Sequence, residues 1–230
     1  LETIENKKIC KEDLQISCGF ETKDVPIYGI VSRIDPLKGF DIICKTLDRF
    51  LNLYNDIQVV ILGKGYKNLQ DELVRLANKY PNKLKVFFEF NNPLAHKIYA
   101  GCDFFLMPSN SEPCGLGQMI AMTYGTVPIV YKTGGLADTV KNFNLKNFSG
   151  NGLVFEHYSE EAFLEKLKES YEIFKNKQAM KSLISNCMKE NFSWEISSKK
   201  YIELYSQLLG INVTKLPTVK RRKKKSEKSS

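Results

Sequence analysis

Short, almost wholly apolar runs alternate along this chain with longer stretches in which apolar residues recur every three or four positions. The short runs are 25–32 (VPIYGIVS), 57–62 (IQVVIL), 84–88 (LKVFF), 103–107 (DFFLM), 126–130 (TVPIV) and 152–155 (GLVF). Such runs predict strands covered on both faces by helices. Between them, Phe40, Ile43, Leu47, Phe50 and Leu51 share one helical face, as do Leu69, Leu73, Leu76 and Tyr80. Phe163, Leu167 and Phe174 do so less strictly. Residues 194–209 predict a terminal helix, with Ser193 at its N-cap and Glu195 in its first turn. Strands separated by helices imply right-handed crossovers and an open, Rossmann-like parallel sheet of the α/β class. In such sheets ligands bind beyond the carboxyl ends of the strands, so the loops leaving the strands are where chemistry is sought.

The expected organisation is a lead-in over residues 1–24, one Rossmann-like domain over 25–192, a C-terminal helix over 193–210 and a basic, disordered tail over 211–230. The tail changes the reading of the charge. The chain of 230 residues carries a net +8, but seven Lys/Arg and one Glu lie in 220–230. Residues 1–219 therefore hold 27 Lys/Arg against 25 Asp/Glu, too even a balance for a nucleic-acid-binding face. Hydrophobic residues make up 43%, enough for a sizeable core. No apolar run approaches the ~18 residues of a membrane span, so no membrane partner is expected. Six cysteines at 10, 18, 44, 102, 114 and 187 include no C-x-x-C pair and read as free thiols in a reducing, intracellular compartment, cytoplasmic or plastid. With only His96 and His157 as imidazoles and no ligand-spaced cluster, no metal site is expected. The chain begins at Leu1, which reads as an internal start rather than a native one.

Three loop segments carry candidate chemistry. In the first, residues 32–39 (SRIDPLKG), Arg33 and Lys38 follow the first strand, where two cations could grip a diphosphate. The alternative is two solvated charges on a loop. In the second, residues 108–118 (PSNSEPCGLGQ), Gly115, Leu116 and Gly117 open a helix running to about Tyr124. Free backbone N–H groups there suit an anion. Glu112 is placed to accept from sugar hydroxyls, or alternatively caps that helix. Cys114 reads as a small packed residue. In the third, Thr133, Gly134 and Gly135 follow the fifth strand and either line the sugar or phosphate pocket or form a plain strand-to-helix turn. Gly63-Lys64-Gly65 lacks the third glycine of G-x-G-x-x-G, since position 68 is Asn68, and reads as a structural turn.

The strings SRIDPLKGFD, AHKIYAGCDFFLMPSNSEPCGLGQM and AMTYGTVPIVYKTGGLADTV, with FSW before the last helix, resemble the C-terminal, nucleotide-sugar-binding half of the starch and glycogen synthases, GT-B glycosyltransferases. The resemblance runs from about residue 5 to 209. It implies transfer of glucose from ADP-glucose or UDP-glucose to an α-1,4-glucan with retention of configuration, with no cofactor or metal. By resemblance Arg33 and Lys38 hold the distal phosphate and the charge on the leaving nucleoside diphosphate. Glu112 faces the glucose, and Gly115, Leu116 and Gly117 offer amides to phosphate or sugar. Phe90 falls where the family has a ring against the base; as an aromatic residue it could equally be core.

The sequence departs from the family in two places. The family usually has Thr where Gly117 stands, and an aromatic residue where Ser111 stands. The N-terminal GT-B domain, with its own KTGGL-type loop and acceptor contacts, is an implied partner, against which the last helix would pack. Without that partner, transfer is expected to be weak or nil. Related GT-B transferases of the sucrose synthase or mannosyltransferase type carry a second glutamate eight residues after the first; here that position is Ile120. The reading from a different class is a degenerate, non-catalytic glucan- or protein-binding module on the same fold.

Overall fold

Each of the six apolar runs forms a strand. The computed structural model describes residues 6–210, in which β1 is Ile27–Val31, β2 Gln58–Leu62, β3 Leu84–Phe87, β4 Phe104–Met107, β5 Val127–Tyr131 and β6 Leu153–Phe155. All pairings are parallel, in the order β3-β2-β1-β4-β5-β6. The strand order reverses between β1 and β4, which makes the carboxyl ends of these two strands the switch point of the sheet.

Alternation along the strands distributes side chains to two helical layers. On one face Ile27, Val60, Leu62 and Phe105 join Leu94, Ile98 and Cys102 in a single apolar cluster. Gly29 belongs to this face because a Cβ there would lie 2.6 Å from both Ile98 and Cys102. On the other face Tyr28 stacks on Phe104, meets Phe50 edge-on and shares a hydrogen bond with Ser170. The covering helices are α1 Lys7–Ser17, α2 Phe40–Leu53, α3 Lys67–Lys79, α4 Asn92–Gly101, α5 Gly117–Thr123, α6 Gly134–Thr139, α7 Glu160–Lys175 and α8 Lys177–Lys189.

The lead-in needs correction. Its described part, residues 6–24, is not a separate segment: α1 packs against α4, Leu14 is fully buried, and Lys11 makes a 2.8 Å ion pair with Asp103. Gln15 spans to Gln58 at 2.8 Å, tying the helix to the start of β2. The first compact unit ends at Glu190, two residues before the expected boundary. The second contains α9, Trp194–Leu209, with the bounds expected from the sequence. Ser193 occupies its N-cap position and Glu195 its first turn, but the Ser193 side chain makes no capping hydrogen bond. None of the residues of α9 is buried, and Trp194, Tyr205, Leu208 and Leu209 are exposed. The basic tail at 211–230 lies outside the described residues. No helix among the described residues is long and apolar enough to cross a membrane.

Candidate active site

The loops after β1, β4 and β5 meet at the carboxyl ends of adjacent strands. In the first, Asp35 accepts from the Lys38 N–H at 3.0 Å and caps the 3-10 turn Pro36–Lys38, which ends at Gly39 with φ +85°. Arg33 pairs with the same aspartate at 3.1 Å. Asp35 thereby holds the backbone of Lys38 and pairs with the guanidinium of Arg33. Gly39 lies flush against the second loop: a Cβ would stand 2.2 Å from the Pro108 carbonyl oxygen. The Asn110 N–H donates to the Leu37 carbonyl at 3.0 Å.

The second loop brings Glu112 back to Lys38. Its Oε2 accepts from Lys38 Nζ at 2.5 Å and lies 3.5 Å from the Ser109 hydroxyl. The glutamate side chain is 9% exposed and the lysine side chain 24%. Glu112 does not cap α5, whose N-cap is Leu116. Gly115 turns with φ +74°, a left-handed conformation that suits glycine. The N–H groups of Gly115, Leu116 and Gly117 have no acceptor among the described residues. This is expected at a helix start, where the first N–H groups have no intrahelical partner. Cys114 is exposed rather than packed, correcting its reading as a small core residue.

A cavity of about 320 Å³ is lined by Arg33, Lys38, Ser109, Glu112, Gly115, Leu116 and Gly117, among others. The residues that carry the two cations, the carboxylate and the unpaired amides, predicted from two separate segments, therefore line one space. A second cavity of about 460 Å³ adjoins it, sharing Val31, Ser32 and Arg33. Phe90 lines the second cavity with Gly63, Lys64, Glu89 and Asn91, and at 94% exposure it is not core. The turn at Gly63-Lys64-Gly65 is structural, since Cβ atoms at Gly63 and Gly65 would stand 1.8 Å and 2.0 Å from the carbonyl oxygens of Ser32 and Ile34. Lys64 of the same turn nonetheless faces the second cavity, a placement that sequence reasoning did not assign.

Thr133, Gly134 and Gly135 lie outside the lining of both cavities. Cβ atoms at Gly134 and Gly135 would stand 2.2 Å from Glu112 O and 2.1 Å from Cys114 O, and the Gly135 N–H donates to Glu112 O at 3.0 Å. The third loop buttresses the second. Among the described residues, no group of three or more His, Cys, Asp or Glu side chains could hold a metal ion.

The model of a known family, "Glycosyl transferases group 1", matches residues 17–187. The chain belongs to the group 1 glycosyltransferases. Among curated relatives it is 44% identical over 209 residues to a glycogen synthase of Desulforamulus reducens, covering 90% of this chain and 43% of that one. It is 47% identical over 208 residues to a glycogen synthase of Petrotoga mobilis, covering 89% and 42%. The catalytic domain of starch synthase IV from Arabidopsis thaliana, solved with ADP and acarbose, superposes with a TM-score of 0.78 at 32% identity, covering 89% of this chain and 43% of that one. The chain thus spans less than half the length of these relatives.

The departure at Gly117 has a physical reason within this group 1 glycosyltransferase. A Cβ at that position would stand 3.0 Å from the Phe105 ring and 3.1 Å from Met107 Sδ. Two large side chains of β4 fill the space beneath the first turn of α5, and a side chain at this position would press them back by a few tenths of an ångström. Ser111, the other departure, is exposed and makes no side-chain hydrogen bond among the described residues.

Proposed function

We propose that this chain is the donor-binding half of a starch or glycogen synthase-type glucosyltransferase, taking ADP-glucose or UDP-glucose. One observation carries the reading: Arg33, Lys38, Glu112 and the unpaired amides of Gly115, Leu116 and Gly117 line one cavity, beside a second that presents the Phe90 ring. In transfer, the bond from glucose to the diphosphate oxygen breaks and one to a hydroxyl oxygen of an α-1,4-glucan forms. The leaving nucleoside diphosphate gains negative charge. Arg33 and Lys38, with the amides of the α5 turn, stabilise that charge; Asp35 shapes the loop that carries both cations, and Glu112 holds the lysine ammonium. Glu112 accepts from glucose hydroxyls. Phe90 stacks on the base, and Lys64 and Asn91 border the same cavity.

Retention of configuration and the glucan acceptor enter the proposal from the sequence's resemblance to the starch and glycogen synthases. So does a second GT-B half, against which α9 would pack. Accordingly the chain alone binds nucleotide and transfers glucose negligibly. Calorimetric titration with ADP tests the reading. Saturable binding that is weakened in Arg33→Ala and in Lys38→Ala is the expected result. No heat of binding at millimolar ADP, in protein shown to be folded, would overturn it. Glucan pull-down without nucleotide binding would favour the non-catalytic binding module.

A further inference from the structure

We propose that Gln118 positions the donor loop, holding the backbone of Cys114 and Gly115 so that the neighbouring free amides stay aimed into the cavity. The proposal rests on the donor-binding reading above. Gln118 lies in the first turn of α5, is fully buried, and does not line the cavity, so any influence on a ligand passes through the loop.

Its Nε2 donates to Gly115 O at 3.0 Å, Thr139 Oγ1 at 3.1 Å and Cys114 O at 3.2 Å. Two N–H groups serve three acceptors, so one is shared. Oε1 is buried with no donor. Turning the amide over would not help, because the two carbonyls have no proton to give and Thr139 gives its own to Gly135 O at 2.7 Å. The glutamine thus carries an unpaired buried acceptor to keep its nitrogen on the loop. A leucine would fill the space without that cost, so packing alone does not account for the residue.

Gly115 is fitted to the same side chain: a Cβ there would lie 2.6 Å from Gln118 Oε1. Through Thr139 and Gly135 the network reaches Glu112, whose carbonyl accepts from the Gly135 N–H at 3.0 Å. One buried amide therefore joins the turn that presents the amides to the turn that presents the carboxylate.

The test is calorimetric titration of ADP into the full chain and into Gln118→Met, which keeps the volume and removes the three bonds. Proton–nitrogen correlation spectra report the amides of Gly115 and Gly117. The variant is expected to bind ADP roughly tenfold more weakly, with displaced Gly115 and Gly117 signals. A role in packing alone would lower the melting temperature and leave the affinity of the folded fraction unchanged, and equal affinity in folded Gln118→Met overturns the proposal. Should that variant not fold, Thr139→Val decides. It removes one partner of the amide at nearly constant volume, a smaller loss of affinity supports the role, and unchanged affinity overturns it. If the unaltered chain fails to bind ADP, the donor-binding reading fails instead. Gly115 and Gly117 signals that are unmoved by Gln118→Met would then overturn the positioning role on its own.

Discussion

Lys38 Nζ and Glu112 Oε2 stand 2.5 Å apart, although 74 positions separate the two residues in the chain. The carboxylate side chain is almost wholly buried and has, besides Lys38, only the Ser109 hydroxyl at 3.5 Å among the described residues. Removing the lysine strands a buried charge. Lys38→Ala is therefore expected to lower the unfolding free energy by about 1–3 kcal/mol. Arg33 is different: its side chain is 68% exposed, and solvent screens its pair with Asp35. Arg33→Ala should cost no more than about 0.5 kcal/mol. Urea denaturation of both variants checks the contrast, which equal losses would refute.

The same pair makes a prediction for ligand affinity. The carboxylate occupies the ammonium that the proposed diphosphate needs. Glu112→Gln removes the competing charge while keeping the shape. ADP, which has no glucose for Glu112 to hold, should bind this variant several-fold more tightly. Weaker binding, measured by calorimetry, would mean that Glu112 itself supports the nucleotide.

Gly39 is where the first and second loops touch. Its φ of +85° disfavours any side chain, and a Cβ would sit 2.2 Å from the Pro108 carbonyl. Gly39→Ala is expected to destabilise by about 2–3 kcal/mol, more than backbone strain alone. Gly19→Ala is the control, since Gly19 has φ +68° but nothing within 4 Å of its Cβ position. It should cost about 1 kcal/mol. Thermal melts of the two variants read the difference, and similar shifts would show that the loops part easily.

Stability should fall above about pH 9. Burial pushes the Cys18 thiol up to about 11 and those of Cys44 and Cys187 to about 12. Unfolded thiols ionise near 8.5. Above that value the unfolded chain releases protons that the folded chain retains, so the stability from the protonated thiols is lost as pH rises. Lys7 acts in the opposite sense. Desolvation lowers it to about 8, so between pH 8 and the ordinary lysine value of about 10.4 the folded chain has already lost a proton that the unfolded chain keeps. Three thiols outweigh one amine, and melting temperatures taken from pH 7 to 10.5 should decline. A flat profile would mean that these thiols ionise in the folded protein.

The strands were legible because a strand covered on both faces is an almost continuous apolar run, interrupted here only by Gln58 in β2 and Lys85 in β3. α9 was equally plain from Ser193 at its start and Glu195 in its first turn. α1 was not: Ile9 and Ile16 are exposed, and the helix docks through Leu14 and through the polar contacts of Lys11 and Gln15. α4 and α8 went unassigned although each carries a signal. Asn91 and Asn176 cap them through their side chains, and Met180, Leu183, Ile184 and Cys187 repeat at helical spacing in α8.

At the site, the residue types and loops could be read singly, because each follows a strand end and precedes a helix. Their mutual arrangement could not. No local pattern tells that Lys38 pairs with Glu112, that Gly134 and Gly135 press on carbonyls of another loop, or that Gln118 is buried with its nitrogen bridging that loop to the end of α6. Those facts come from the sheet order, which sets β4 between β1 and β5.

Val31, Ser32 and Arg33 belong to the walls of both cavities. A molecule long enough to occupy both must cross the tip of a single strand, so its two ends behave as tethered fragments. Seating one end raises the effective concentration of the other without any new contact. A bare nucleoside or a bare sugar phosphate would each hold weakly, and the covalent link between them would supply the avidity.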